Sequence, residues 1–227
     1  MIRVIILLHF FIFLLSNSVP ANNNIASIIR GIQKNYAHLP GFRISYKREV
    51  ITRTMSFLGN QIKGDIATGK IFFRPPYSLK LEQEKPQPET IIAGKDTVWW
   101  YIPGEKRVYK YPSGKFGKEL MLLSDIFRGL INVDDNFTVS LLTQDKQGEY
   151  RIKLIPQPPW EEINSIIITV TNRFEIHRIN IQNQLGGVTR FELDDLAMMD
   201  KFDDGFFIFE IPKGVQVIQD NGLSLTP

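Results

Sequence analysis

Phe42-Arg43-Ile44-Ser45-Tyr46-Lys47 alternates apolar with polar side chains, and Tyr77-Ser78-Leu79-Lys80-Leu81-Glu82 repeats the rhythm. Successive side chains on a strand point to opposite faces, so each stretch makes a strand with one apolar and one wetted face. Short strand-like runs follow at residues 98–101, 107–111, 137–142, 150–155, 165–171, 175–182, 188–193 and 206–211. Turn pairs such as Pro103-Gly104, Gln147-Gly148, Gly186-Gly187 and Asp204-Gly205 separate many of them. Connections this short make the neighbours mostly antiparallel, because parallel crossovers need about a dozen residues or more.

Two segments keep a different period. Ile25, Ile28, Ile29, Ile32 and Tyr36 fall on one helical face, with Asn24 placed to cap and Leu39-Pro40-Gly41 to stop the helix. Leu120, Leu123, Phe127 and Leu130 repeat the helical spacing within residues 116–130, and Met121, Leu122 and Ile126 broaden the stripe. A helix this apolar needs a large hydrophobic surface, either as a flap laid across the sheet or as an ordinary core helix. The expected fold is mainly β (α+β): one strongly curved antiparallel sheet with two helices on its apolar face. Such a sheet either closes around its own side chains or leaves an apolar groove for a guest.

The chain has 227 residues and shows no internal repeat, low-complexity run or composition shift that would mark a second domain. Its start reads as an export signal. A positive beginning at Met1–Arg3 leads into an apolar run from Val4 to Leu15, and Val19 and Ala21 stand at the −3 and −1 positions of a cut. The alternative, a membrane anchor, needs roughly 20 apolar residues to span a bilayer, more than this run provides. Expected are a cleaved signal at 1–21, a single exported domain at 22–218 and a loose tail at 219–227.

Composition removes several chemistries. There is no cysteine, hence no disulfide framework, thiolate metal site or cysteine nucleophile. Of three histidines, His38 and His177 lie beyond the signal, and each reads as structural or surface. The acidic pairs, such as Asp194-Asp195, are adjacent residues that a strand turns to opposite faces, so they make no carboxylate dyad. No nucleophile elbow, phosphate loop or zinc-protease helix is present. No catalytic residue, metal or cofactor is expected. A net charge of +3 is no nucleic-acid footprint. Charge is uneven, however: residues 70–118 hold ten Lys/Arg against five Asp/Glu, and residues 186–227 hold three against eight. That is either two solvated faces or a dipolar surface that orients docking partners.

Three stretches carry a resemblance. Phe72-Phe73-Arg74-Pro75-Pro76-Tyr77 runs a strand into Arg-Pro. Ile91-Ile92-Ala93-Gly94-Lys95-Asp96-Thr97-Val98-Trp99-Trp100-Tyr101-Ile102-Pro103 reads as a hairpin. Phe207-Ile208-Phe209-Glu210-Ile211-Pro212-Lys213-Gly214-Val215 closes the series. In order and spacing, over residues 24–218, they resemble the periplasmic outer-membrane lipoprotein carrier (LolA) family. The resemblance implies an incomplete β-barrel covered by a helical lid, without enzymatic activity or cofactor, working as a monomer in the periplasm. Acylated lipoproteins would be received from an inner-membrane lipoprotein-releasing ABC transporter and handed to an outer-membrane receptor lipoprotein. Arg74 maps onto the family's lid latch, with partners expected in the 116–130 helix. Tyr77, Leu79, Trp99, Leu120, Leu123, Phe127 and Leu130 are the expected acyl-cavity lining, and Ser78 stands where the family commonly has an aromatic. A lipid- or lipoprotein-binding sensor of the same fold is the alternative.

Overall fold

The computed structural model describes residues 21–57, 64–116, 118–142 and 148–219. The expected export signal, up to residue 20, and the expected tail, from residue 220, lie outside the described residues.

Among the described residues, twelve strands form one curved, unclosed sheet: β1 (Phe42–Ile51), β2 (Asp65–Arg74), β3 (Ser78–Lys85), β4 (Glu89–Ala93), β5 (Thr97–Ile102), β6 (Arg107–Pro112), β7 (Phe137–Leu141), β8 (Tyr150–Pro156), β9 (Ile163–Val170), β10 (Ile176–Asn183), β11 (Val188–Met198) and β12 (Gln216–Gln219). Their order is β12-β6-β5-β4-β3-β2-β1-β11-β10-β9-β8-β7. Every pairing is antiparallel except that of β12 with β6. The chain thus builds two meanders and joins them where β1 meets β11, in a register that sets Tyr46 opposite Leu193.

Register decides which side chains share the concave face. Phe42, Ile44 and Tyr46 of β1 stand opposite Phe73, Ile71 and Gly69 of β2. Phe73 and Ile71 in turn face Leu79 and Leu81, which face Ala93 and Ile91. Beyond β11 the row continues through Phe191, Ile179, Ile168 and Ile152. All of these are buried except Ile91, which packs partly buried against them. The opposite face carries ion pairs such as Arg190–Glu49 at 3.0 Å and Lys80–Glu82 at 2.8 Å.

Two main helices cover the concave face. Helix α1 (Ala21–Tyr36) buries Ile28, Ile32 and Tyr36. The Tyr36 hydroxyl accepts a hydrogen bond from the Ile176 amide at 2.9 Å, which ties the helix to the start of β10. A short α2 (Arg53–Phe57) follows β1. In the stretch expected as a helix over 116–130, the described helical residues are α3 (Ser113–Phe116) and α4 (Lys118–Phe127). Chain reversal after α4 uses Gly129 and Leu130 at φ 80° and 58°. A final turn, α5 (Val133–Asn136), leads into β7.

The strand expected at 206–211 is corrected. That stretch is a turn and an irregular extended segment, and β12 begins only at Gln216. The reason is topological: the strands it crosses on the convex face are paired on both sides, so their edges offer no free backbone groups. Its rings attach it instead. Phe206 packs edge-on against Phe72 at 5.0 Å, and Phe209 stacks on Trp99 at 5.4 Å. This aromatic strap carries the chain from β11 to the outer edge of β6.

Candidate functional site

Between α4 and the β3–β5 end of the sheet lies an apolar cavity of about 310 Å³, lined by Tyr77, Ala93, Val98, Leu120, Met121 and Ser124 among others. Period-two phasing of β4 and β5 brings Ala93 and Val98 to its floor, as direct cross-strand partners. The α4 stripe provides the roof. Leu122, Leu123, Ile126 and Phe127 seal the helix to the sheet, with Phe127 edge-on to Phe42 at 5.3 Å and tilted on Phe73 at 5.9 Å. Ser124 satisfies its hydroxyl within the helix, donating to the Leu120 carbonyl at 3.0 Å. Lys95 and Asp96 stand at the rim.

The structure divides the expected site residues into three groups. Tyr77 and Leu120 line the cavity. Leu79, Leu123, Phe127 and Leu130 are fully buried in the core around it, so they hold the lid and sheet together rather than face the empty space. Trp99 and Arg74 belong to the other side of the sheet. Trp99 is in phase with the convex face, where it lies between Phe209 and the Lys110 ammonium, 5.2 Å from its ring. Its neighbour Trp100 is the indole on the concave face, partnered with Tyr109 at 5.3 Å. The Arg74 guanidinium packs over the Phe207 ring at 4.8 Å, so among the described residues the contact it makes is to the strap. An arginine at this position of β2, one residue past the inward Phe73, necessarily points outward. Besides Lys95, a second cation comes near the cavity: Arg128 lies over the ring of the lining residue Tyr77 at 5.3 Å and is paired with Asp125 at 3.6 Å.

Sequence reasoning missed a polar row on the concave face. Arg48 is the next in-phase residue after Phe42, Ile44 and Tyr46, and the alternation itself carried that signal. Its Nη2 donates to Gln83 Oε1 at 3.3 Å, and Trp100 Nε1 donates to Glu89 Oε2 at 2.9 Å.

A larger cleft, about 1170 Å³, opens where β11 runs on past its last pairing with β10. Its walls mix Lys47, Arg173 and Arg178 with Glu175, Glu192 and Asp194, and apolar side chains including Leu39, Ile44, Ile176 and Leu193 stand among them. His177 sits there against Glu149 at 2.7 Å. Among the described residues no group of three or more His, Cys, Asp or Glu is placed to hold a metal ion. No helix among them is long and apolar enough to cross a membrane.

Comparison with known proteins agrees with this architecture. The family model for the outer membrane lipoprotein carrier protein LolA matches residues 55–210. A curated relative, the outer-membrane lipoprotein carrier protein of Chromohalobacter salexigens, is 25% identical over 160 residues, covering 69% of this chain and 72% of its own. Among solved structures, an uncharacterized conserved protein from Thermus thermophilus aligns with a TM-score of 0.50 at 11% identity, over 87% of this chain and 99% of that one. A LolA superfamily protein from Nitrosomonas europaea aligns at 0.44 and 12% identity, over 80% and 96%. With its curved, unclosed sheet under two helices and a family match over more than half its length, this chain belongs to the outer membrane lipoprotein carrier protein LolA family.

Proposed function

We propose that the protein is a non-enzymatic periplasmic carrier that shields lipoprotein acyl chains between the inner and outer membranes. One observation carries the reading: a concave apolar face spanning both meanders is roofed by helices and keeps an apolar cavity beneath α4. Each methylene taken from water is worth about 0.8 kcal/mol, so a long acyl chain does not cross an aqueous space unshielded. The family's name for its members and for the Chromohalobacter salexigens relative supports the same cargo.

The cavity sets a constraint on how the carrier works. At about 310 Å³ it stands at the small end of ligand sites, so several chains enter only if α4 moves away from Phe42 and Phe73. The core aromatic contacts favour the closed form, and their re-formation favours release. The donor on this reading is an inner-membrane lipoprotein-releasing ABC transporter, and the acceptor an outer-membrane receptor lipoprotein.

A fluorescent acyl probe bound to the protein should be displaced by a triacylated lipopeptide and much less by the same peptide without its chains. Equal competition by both, or turnover of the lipid ester, would remove the proposal. Depletion in cells should leave lipoproteins in the inner membrane; normal sorting with altered envelope-stress signalling would favour a sensor instead.

A further inference from the structure

The polar row on the concave face is nearly self-sufficient, and the exception is informative. Gln83, only 8% exposed, accepts from Arg48 and donates through Nε2 to the Gln87 carbonyl at 3.0 Å. Glu89 has both oxygens engaged, by Gln87 Nε2 at 3.2 Å and by Trp100 Nε1 at 2.9 Å. Arg48 ends the row with donors to spare. Its Nε is buried without a partner, and among the described residues no carboxylate pairs with it. A buried or half-buried cation is ordinarily paired, because desolvation of an unpaired one is costly.

Local sequence explains how the arginine reaches there. Between β1 and β3 the inward positions of β2 are Ala67 and Gly69, so the Arg48 side chain lies across a trough in the sheet to meet Gln83. A Cβ on Gly69 would overlap the Glu82 carbonyl, which fixes glycine at that point of the trough.

The row is aligned with the cavity under α4. Ala93 lies on the cavity floor, and Ile91 and Glu89 follow it on the same face of β4, as Trp100 follows Val98 on β5. Four residues of strand separate Ala93 from Glu89, about 13 Å at roughly 3.3 Å per residue. The apolar residues Ile91 and Trp100 therefore lead from the cavity to the start of the polar row at Glu89, whose carboxylate is already engaged, and the row continues through Gln83 to the Arg48 guanidinium. The neighbouring Tyr46 phenol, held neutral because burial pushes its pKa up against the pull of Arg48, adds a second inward polar group. Glu119 on α4 is the charged group facing the row from above, beyond ion-pair distance of Arg48.

We propose that Arg48 is a head-group site for a long-chain amphiphile with an anionic oxygen-bearing head, its tail lying along Ile91 and Trp100 into the cavity. This rests on the acyl-binding reading and narrows it: beside neutral acyl-glyceryl cargo, the barrel selects acidic single-chain lipids, whether a fatty-acid carboxylate or a phosphate monoester.

The test is displacement of a fluorescent acyl probe from the full protein by three compounds of equal chain length: a fatty acid, the corresponding alcohol and a lysophosphatidic acid. The acid or the phosphate should compete at least about tenfold better than the alcohol, and the stronger of the two identifies the head. Arg48→Gln should abolish that preference while alcohol binding stays unchanged, and Arg48→Lys should keep part of it. Should Arg48→Gln fail to fold, the wild-type ratio and Arg48→Lys decide. Equal competition by acid and alcohol in the wild type, or an undiminished preference in the folded variant, overturns the head-group site and leaves the carrier reading standing. Binding of none of the three overturns both.

Discussion

The Arg74 guanidinium lies 4.8 Å from the centre of the Phe207 ring, joining the exposed end of β2 to the strap on the convex face. Phe207 itself packs against Phe202 at 4.9 Å and Phe206 at 5.1 Å, so one cation touches a cluster of three rings. Phe206 meets Lys80 at 4.2 Å, a second cation on the same cluster. These contacts replace the backbone hydrogen bonds that the strap lacks over the doubly paired strands.

A double-mutant cycle on Arg74→Leu and Phe207→Leu should therefore give a coupling of about 0.5–1 kcal/mol in urea unfolding, the size of an exposed cation–π contact. Both single variants should change strap mobility alike, read by hydrogen exchange at 206–211. If Arg74 instead latched the lid, Arg74→Leu alone would alter acyl release and Phe207→Leu would not.

Tyr36→Phe should destabilise the fold by about 1–3 kcal/mol. The substitution keeps the ring, which is 4% exposed and edge-on to Phe42 at 6.2 Å, and removes the acceptor of the buried Ile176 amide. An amide left without a partner in the core costs its desolvation. Denaturant midpoints at constant m-value measure it; a change within error would mean that Ile176 finds another acceptor.

Much of this fold was legible because its signals are local. The alternation in β1 and β3 named the concave face before any register was known, and the α4 stripe named the roof. What stayed hidden depends on topology. Phe206, Phe207 and Phe209 look like strand residues, yet whether they pair or lie across a sheet depends on which edges are free. Trp99 and Trp100 are equivalent by composition, and only the pairing of Trp100 with Ile91 sets which one faces inward. Arg74 carried the family's role by its Arg-Pro neighbourhood, while the strap that receives it lies more than a hundred residues later. Arg48 was in phase with the core residues, and its charge masked that phase.

Acid pH should strengthen the closure of α4. Burial pushes the carboxyls of Glu119 and Asp125 up, against the opposite pull of Arg48 and Arg128. Glu119 is exposed to water, whereas Asp125 is partly buried beside Arg128, so Asp125 carries the larger part of the effect. A carboxyl raised on folding contributes stability that is fully present below its unfolded value and is lost as pH rises through the folded one. Stability should thus fall on going from about pH 4 towards neutrality in the part governed by these two groups. The Glu119→Gln/Asp125→Asn double variant should show a flatter pH profile of urea midpoints than the wild type. An unchanged profile would place both carboxyls in ordinary solvent.

Leu120→Trp separates cavity from core. Leu120 is half-buried with one side on the cavity, whereas Phe127 on the same helix is 1% exposed and wedged between Phe42 and Phe73. An indole at 120 can turn into the empty volume beside Ala93 and Val98, occupying the space that an acyl tail needs without displacing a packed group. Overpacking would cost about 1–3 kcal/mol had the site been full, so retention of most stability itself reports empty space. Phe127→Ala, by contrast, removes a ring from a sealed layer and should cost about 3–5 kcal/mol. Acyl-probe titration and urea unfolding of both variants give the comparison. Leu120→Trp should weaken probe binding at least about tenfold with a stability near wild type. Phe127→Ala should lose stability first and, under conditions where it remains folded, admit the probe faster, because the contact holding α4 onto the sheet is gone. Unaltered probe binding by Leu120→Trp would move the acyl site away from α4, and slower uptake by folded Phe127→Ala would mean that α4 is not the element that opens.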